Sequence, residues 1–279
     1  MTSRRDWCRA AVLGVLGAGM RARAASSAPA KRPLVAAHRG GALLWPENSL
    51  TAFRNALGLG VDFLETDVHL TSDGEVVIVH DATLDRTTTG SGPVRAAALG
   101  DLARLRLRGA DGAPTGDGVP TLGTVLDLMP GHRTELLLEI KVGADGQRYP
   151  GIEEKALALV KARGLLARTL VMGFHAPTVR RIRELEPATR TVLLVGRARI
   201  DRQGASFADA VRWTVDAGAN VVGIQHTALD ASVVSAARAA GLRVAAWTVN
   251  EEPDLRRAVE LGVDVVISDR PDLALRLAR

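Results

Sequence analysis

The sequence contains little cysteine, few aromatic residues and little net charge, and each shortage narrows the range of structures or functions that the chain can have. Cys8 is the only cysteine among 279 residues, so no disulfide can form within the chain. Aromatic residues make up 3% of the chain, whereas Ala, Val, Leu and Gly dominate, as in alternating strands and helices. Residues 1–24, with five arginines and one aspartate, supply +4 of the net charge of +5 and leave +1 for the remainder. A nearly neutral body argues against nucleic acid as a partner.

The chain also lacks an apolar run that could span a bilayer. The stretch from Ala10 to Met20 is shorter than the ~20 residues that a span needs. It follows Arg4-Arg5, which resembles the twin-arginine export signature, and precedes Ala22-Arg23-Ala24, which fits a small-residue cleavage site. We therefore expect an export signal over 1–25, a linker over 26–33 and a periplasmic or secreted protein without a stable membrane anchor. A disordered basic N-terminus on a cytosolic protein is the alternative.

From Leu34 onward, apolar strand-like runs alternate with helix-like runs. The predicted strands are 34–38, 62–68, 75–80, 135–141, 169–174, 190–195, 220–225, 243–248 and 264–268. The predicted helices are 49–59, 122–129, 152–163, 176–186, 206–217, 230–240 and 252–261, with a short helix near 99–107.

These nine strands are one more than a closed eight-stranded barrel needs. The turn Thr71–Gly74 is too short to connect parallel strands, and its Asp-Gly pair favours a hairpin, so strand 75–80 should fold back on its predecessor. The remaining eight predict an α/β (β/α)₈ TIM barrel over 34–279, with an insertion, 81–120, between the second and third barrel strands. An open doubly wound sheet is the competing fold and predicts no pairing between the first and last strands.

Charged residues stand at the ends of three of these apolar strands, where a (β/α)₈ barrel has its active site. They are His38 and Arg39 after the first, Glu65 and Asp67 in the second, and Glu139 and Lys141 in the third. Residues two apart on a strand point the same way, and paired carboxylates suit a hard divalent cation. With His38 and His80 available for proton transfer, the pattern suggests metal-assisted phosphoester chemistry. A structural salt-bridge network is the alternative.

Ordered motifs along the chain resemble the glycerophosphodiester phosphodiesterase family. They are Ala37-His38-Arg39-Gly40, Pro46-Glu47-Asn48, Glu65-x-Asp67-Val68, Asp73-Gly74, His80-Asp81, Leu84-Asp85-Arg86-Thr87-Thr88, Pro120-Thr121-Leu122, Glu139-Ile140-Lys141 and Ile267-Ser268-Asp269-x-Pro271. A single one of these motifs would be weak, but the ordered set covers nearly the whole predicted mature chain.

The resemblance implies a metal-dependent phosphodiesterase that acts on a small-molecule glycerophosphodiester and releases glycerol 3-phosphate and an alcohol. It implies that Glu65, Asp67 and Glu139 hold Mg²⁺ or Ca²⁺ through oxygen. It further implies that His38 and His80 act as general acid and base.

The resemblance also implies residues that bind the substrate. Arg39 and Lys141 would bind the phosphate oxygens and stabilise the charge that builds on them. Trp247 would line the glycerol pocket. The nucleophile stays open between a metal-activated water and the substrate's neighbouring hydroxyl, which would first give a cyclic phosphate.

Two other functions stay open, as do several residue roles. An apolar rim at 43–45 (Leu-Leu-Trp) would suit a lysophospholipase D or sphingomyelinase D-like enzyme acting on a lipid phosphodiester. A non-catalytic phosphodiester-binding protein is the alternative of another class.

Asp81 and Glu47 could orient the two histidines or cap local backbone, and 86–92 could cradle phosphate or form a turn. His69 shares a strand face with the acidic pair and lies either at the metal site or behind it.

Overall fold

The computed structural model describes residues 32–278, so the predicted export signal and most of the predicted linker lie outside the described residues. The strands are β1 (Leu34–Ala37), β2 (Phe63–Leu70), β3 (Val76–Ile78), β4 (Glu135–Ile140), β5 (Thr169–Gly173), β6 (Arg190–Val195), β7 (Val221–Gln225), β8 (Arg243–Trp247) and β9 (Val265–Ser268). The α-helices are α1 (Leu50–Leu59), α2 (Leu99–Leu102), α3 (Leu122–Leu126), α4 (Ile152–Ala162), α5 (Ala176–Leu185), α6 (Arg197–Arg202), α7 (Phe207–Asp216), α8 (Ala231–Ala239), α9 (Glu252–Glu260) and α10 (Pro271–Leu277).

Eight of these strands form a closed parallel barrel in the order β1-β2-β4-β5-β6-β7-β8-β9, and β9 pairs back with β1. In the closing pair, Leu34 lies opposite Val265 and Ala37 lies opposite Ser268. This closure confirms the predicted (β/α)₈ barrel and excludes the open doubly wound sheet. β3 stays outside the barrel and runs antiparallel to β2, as its short Asp-Gly turn predicts.

Burial on both faces explains the apolar strand sequences. The barrel interior is filled by side chains such as Ala36, Phe63 and Met172, while the outer faces of the strands pack under the helices. α2 covers only the start of the predicted 99–107 helix. None of the helices within residues 32–278 combines the length and the apolar character that crossing a membrane requires.

The insertion 81–120 has a small apolar cluster of its own. Val77 and Val79, in and just after β3, pack with Leu84, Val94 and Leu102 of the insertion. The backbone N–H of Ile78 also donates to the carbonyl of Pro120, at 2.8 Å. Apolar contacts and a backbone hydrogen bond therefore attach the insertion to the hairpin strand.

Candidate active site

A tight left-handed turn carries the chain out of β1 at the C-terminal mouth of the barrel. Arg39, Gly40 and Gly41 have φ values of 52°, 82° and 105°. A Cβ atom on Gly40 would stand 2.7 Å from Cβ of Ala52, so only glycine lets α1 pack this closely against the turn. The turn leaves His38 and Arg39 facing the mouth.

Three carboxylates converge beside this turn. Glu65 and Asp67 come from β2, and Glu139 comes from β4, where it lies directly opposite Asp67 in the strand register. All three residues are buried, and one carboxylate oxygen of each lies within 4.8 Å of the others. The parallel pairing of two neighbouring strands therefore creates the acidic cluster that the two-residue spacing predicts.

Lys141 and Arg39 reach this cluster but do not neutralise all of it. Lys141 Nζ lies 2.9 Å from Asp67 Oδ1 and 2.7 Å from Glu139 Oε1, and Arg39 Nε lies 3.7 Å from Asp67 Oδ2. In the part of the chain that the structure describes, Glu65 receives only a hydrogen bond of 2.6 Å from the backbone N–H of Arg39, and its Oε1 is buried without a hydrogen-bond partner. With all three carboxylates ionised, these two cationic side chains leave one negative charge uncompensated.

Burial and the local charges shift the pKa values of the three carboxyl groups in different directions. Burial, together with the neighbouring charges of Asp67 and Glu139, raises the pKa of Glu65 well above its ordinary value. Burial also raises the pKa of Glu139, against the charge of Lys141. For Asp67, burial is outweighed by the charges of Lys141, the two histidines and Arg39, and its pKa falls.

These observations fit a divalent cation and test the salt-bridge alternative. A complete ion-pair network would give each buried carboxylate a cationic partner, because an unpaired buried charge is costly. Glu65 has none. The cluster could therefore hold a metal ion through carboxylate oxygens, which are the ligands that Mg²⁺ and Ca²⁺ prefer.

The first histidine is held by the far end of the chain. His38 Nδ1 lies 2.6 Å from Asp269 Oδ1, and Asp269 directly follows β9. Asn250, after β8, donates from Nδ2 to Asp269 Oδ2 at 2.7 Å and accepts the backbone N–H of Asp269 at 2.9 Å. The sequence shows Asp269 only within a motif and does not reveal this contact, although an acidic residue at the end of a barrel strand is the signal that identifies the other site residues.

The second histidine is held by its own neighbour. His80 Nδ1 lies 2.7 Å from Asp81 Oδ1. Its backbone carbonyl lies 3.3 Å from Nε2 of His69, whose Nδ1 contacts the hydroxyl of Tyr149 at 2.8 Å. His69 is thus buried behind His80, and this burial lowers its pKa to about 4.

Glu47 and Arg86 connect the two sides of the mouth. Glu47 Oε1 accepts from Arg39 NH1 at 3.1 Å, and Arg86 pairs with both Glu47 and Asp81. Glu47 is not hydrogen-bonded to His38, so of the two acidic neighbours only Asp81 orients a histidine.

A cleft opens between the histidines. Its polar wall carries His38, Arg39, His80 and Glu139, and its apolar wall carries Met172, Phe174, Leu194, Trp247 and Ile267. Trp247 packs edge-on against Phe174, with 5.3 Å between ring centroids. Phe174, which was not predicted as a site residue, follows β5 and is 45% exposed.

The predicted apolar rim lies apart from this cleft. Leu43 is 59% exposed. Trp45 lines a separate groove of about 620 Å³ between the β1–α1 loop and the insertion, together with Arg86 and Arg108. The rim therefore supplies no side chain to the wall of the cleft.

Comparisons with known proteins agree with this site. Residues 38–273 match the model of the glycerophosphoryl diester phosphodiesterase family. A glycerophosphodiester phosphodiesterase from Caldanaerobacter subterraneus subsp. tengcongensis is 30% identical, over 89% of this chain and 98% of the relative, and one from Bacillus altitudinis is 32% identical, over 86% and 96%.

Solved structures give the same answer. An Oleispira antarctica phosphodiesterase, solved in complex with the product sn-glycerol-3-phosphate, superposes with a TM-score of 0.73 at 27% identity, over 88% of this chain and 96% of that structure. A glycerophosphodiester phosphodiesterase from Agrobacterium tumefaciens has a TM-score of 0.70 at 26% identity, over 88% and 100%. This chain therefore belongs to the glycerophosphoryl diester phosphodiesterase family and is an enzyme of that class.

Proposed function

We propose that the enzyme hydrolyses glycerophosphodiesters to glycerol 3-phosphate and an alcohol, with a divalent cation at the acidic cluster and the two histidines as acid and base. The observation that carries this proposal is the buried Glu65 carboxylate, which lacks a cationic partner in a cluster placed beside two aspartate-held histidines. The product bound to the Oleispira antarctica enzyme supports glycerol 3-phosphate as one product here.

Glu65, Asp67 and Glu139 would hold the cation. When bound, a divalent cation supplies Lewis-acid stabilisation of phosphoryl oxygens and balances the excess negative charge. Arg39 and Lys141 provide the fixed positive charges of the site. Their guanidinium and ammonium groups would bind the non-bridging phosphate oxygens as negative charge builds on them.

The two histidines have matched geometry for proton transfer. In each, a carboxylate faces Nδ1, which favours the tautomer with the proton on that nitrogen and leaves Nε2 free to exchange a proton with the substrate. One histidine takes the proton from the nucleophile, and the other gives a proton to the leaving alkoxide. Burial, the largest influence on His80, lowers its pKa and favours its neutral form at pH 7.

The apolar wall provides the place for the glycerol carbons. Trp247 and Phe174 present ring carbons to the cleft opposite the histidines. Both candidate nucleophiles, water and the substrate hydroxyl, are compatible with this arrangement. ³¹P NMR during turnover distinguishes them, because only attack by the hydroxyl produces a transient cyclic phosphate.

The decisive experiment is to remove metal with a chelator and then titrate Mg²⁺ or Ca²⁺ while assaying glycerol 3-phosphate release from glycerophosphocholine. We expect activity to return with the metal in the wild type and not in Glu65→Gln, which keeps the side-chain shape but removes the charge. Arg104→Ala, which removes an exposed ion pair with Asp101, serves as the control and should behave as the wild type. Full activity after metal removal would reject the proposal.

The same assay separates the other functions. Faster turnover of lysophosphatidylcholine than of glycerophosphocholine would favour a lipid-directed enzyme, and substrate binding without release of any product would favour a binding protein. The family match and the position of the apolar rim outside the cleft favour neither.

We further propose that the protein is exported through its N-terminal segment. The order of twin arginines, apolar stretch and small residues in 1–25 supports this proposal. Replacing Arg4 and Arg5 with lysine should retain the protein in the cytoplasm, as measured by cell fractionation. Unchanged fractionation would contradict the twin-arginine route.

A further inference from the structure

His80 lies on a hairpin outside the barrel, unlike the other site residues. It follows β3, which pairs with β2, bridges to Thr121 through Val77 and is not a barrel strand, whereas His38, Glu65 and Glu139 lie in or directly after barrel strands. A catalytic group must be held within a fraction of an ångström of its productive position. The backbone beside His80 is tied to β2, since the N–H of Val79 donates to the carbonyl of Asp67 at 3.2 Å, but the imidazole and Asp81 need a further connection to the β1 side of the mouth.

The guanidinium of Arg86 supplies such a connection. One edge donates to Asp81, from Nε to Oδ2 at 2.7 Å and from NH2 to Oδ1 at 2.9 Å. The other edge donates to Glu47, from NH1 to Oε2 at 2.8 Å and from NH2 to Oε1 at 2.9 Å. Two bidentate pairs on one guanidinium define the angle between the two carboxylates as well as their separation.

The carboxylate oxygens that meet NH2 are the same atoms that hold the site residues. Asp81 Oδ1 also contacts His80 Nδ1, and Glu47 Oε1 also accepts from Arg39. A continuous chain of contacts, His80–Asp81–Arg86–Glu47–Arg39, thus joins the hairpin side of the mouth to the β1 side. We propose that Arg86 is a positioning residue that holds the His80 imidazole and the Arg39 guanidinium at a fixed separation.

Arg86 does not act as a phosphate ligand in this arrangement. Its guanidinium has five N–H donors, and four of them are used by Asp81 and Glu47. The 86–92 segment therefore contributes a link between carboxylates rather than a phosphate cradle. Hydrogen bonds from Arg86 also lower the pKa of Asp81. Burial raises the pKa of Glu47, but the hydrogen bonds and charges of Arg86 and the charge of Arg39 outweigh it, so that this pKa is lowered as well. Both carboxylates therefore stay ionised.

This inference rests on the proposed roles of His80 and Arg39 and is tested by chemical rescue. Arg86 is half exposed and lines the groove beside the β1–α1 loop, so a small cation from solvent can reach its place. We expect Arg86→Ala to lower kcat by about 10- to 100-fold, the range for residues that orient a catalytic group, with little change in KM. Added guanidinium should restore part of the lost kcat without affecting the control Arg104→Ala.

The outcomes separate three explanations. An unchanged kcat, or a loss of kcat that guanidinium does not reverse in a variant with the wild-type melting temperature, would overturn the proposal. A rise in KM at constant kcat would also overturn it, because it would identify Arg86 as a substrate ligand. If Arg86→Ala does not fold, Arg86→Gln takes its place in the same rescue assay. Failure of the proposed function itself would instead show in the wild type, as no metal-dependent release of glycerol 3-phosphate.

Discussion

The two histidines of the mouth have the same kind of partner but acquire it in opposite ways. His38 and Asp269 are 231 positions apart in the sequence and meet because β9 pairs with β1. His80 and Asp81 are neighbours in the sequence, and an arginine of the insertion fixes them to the barrel. One half of the site is thus built by barrel closure and the other by an attachment to the barrel. The attached half is also the more exposed, with 28% of the Asp81 side chain accessible against 16% for Asp269.

The largest expected effect comes from removing either histidine. His38→Ala and His80→Ala should each lower kcat by about 10²–10⁴-fold, because each removes one of the two proton transfers. The measurement is steady-state release of glycerol 3-phosphate, and the exposed His132 provides the control His132→Ala, which should match the wild type. Near-normal turnover in one variant would show that only the other half of the mouth performs proton transfer.

Replacing the aspartates should separate the two halves. We expect Asp269→Asn to lower kcat by about 100-fold and Asp81→Asn by nearer tenfold. Asp269 is the more buried partner, whereas the charge of Asp81 is already shared with Arg86. Both variants would be compared in kcat at saturating substrate. Equal losses of kcat would mean that neither the greater exposure of Asp81 nor its pairing with Arg86 reduces its contribution to kcat.

The pKa of His80 provides a finer test. Burial is its largest influence and lowers it, while the anionic Asp81 and Asp67 raise it and the positive Lys141 and Arg39 lower it. Removing the Asp81 charge takes away support for the protonated ring, so Asp81→Asn should lower the His80 pKa further. NMR titration of the imidazole measures this directly. The control Asp269→Asn should leave the His80 pKa unchanged, and a rise in Asp81→Asn would contradict the assignment.

The smallest effect concerns stability and compares two glycines with positive φ. Gly40→Ala should lower the free energy of unfolding by about 3 kcal/mol, because it combines left-handed strain with overlap against Ala52. Gly74→Ala, in the β2–β3 turn, should cost about 1 kcal/mol, because its new methyl would meet only the flexible end of Lys155. Urea denaturation measures both. Equal costs would show that the Gly40–Ala52 contact relaxes without penalty.

The barrel was predictable from the sequence because strands that are buried on both faces consist of nearly continuous apolar residues. Every predicted strand overlaps an observed one, and the hairpin followed from its short turn. α6 was missed because Ile200 is its only buried residue, so it shows no apolar periodicity. α10 was missed although Pro271 marks its first turn.

The acidic cluster was predictable from local spacing and strand order, whereas the hydrogen-bond network around it was not. Glu65 and Asp67 share a face through local spacing, and strand order places Glu139 beside them. The contacts of Arg86 depend on how the insertion folds over the β1–α1 loop, and no periodicity in the sequence encodes that path. Asp269 was partly predictable. The sequence places it at the end of a barrel strand, but its contact with His38 depends on barrel closure.

Closure of the barrel by β9 has a consequence during protein synthesis. His38 leaves the ribosome 231 residues before Asp269. A nascent chain therefore cannot complete this pair until β9 has been synthesised and has paired with β1, and enzymatic turnover becomes a readout of a closed barrel.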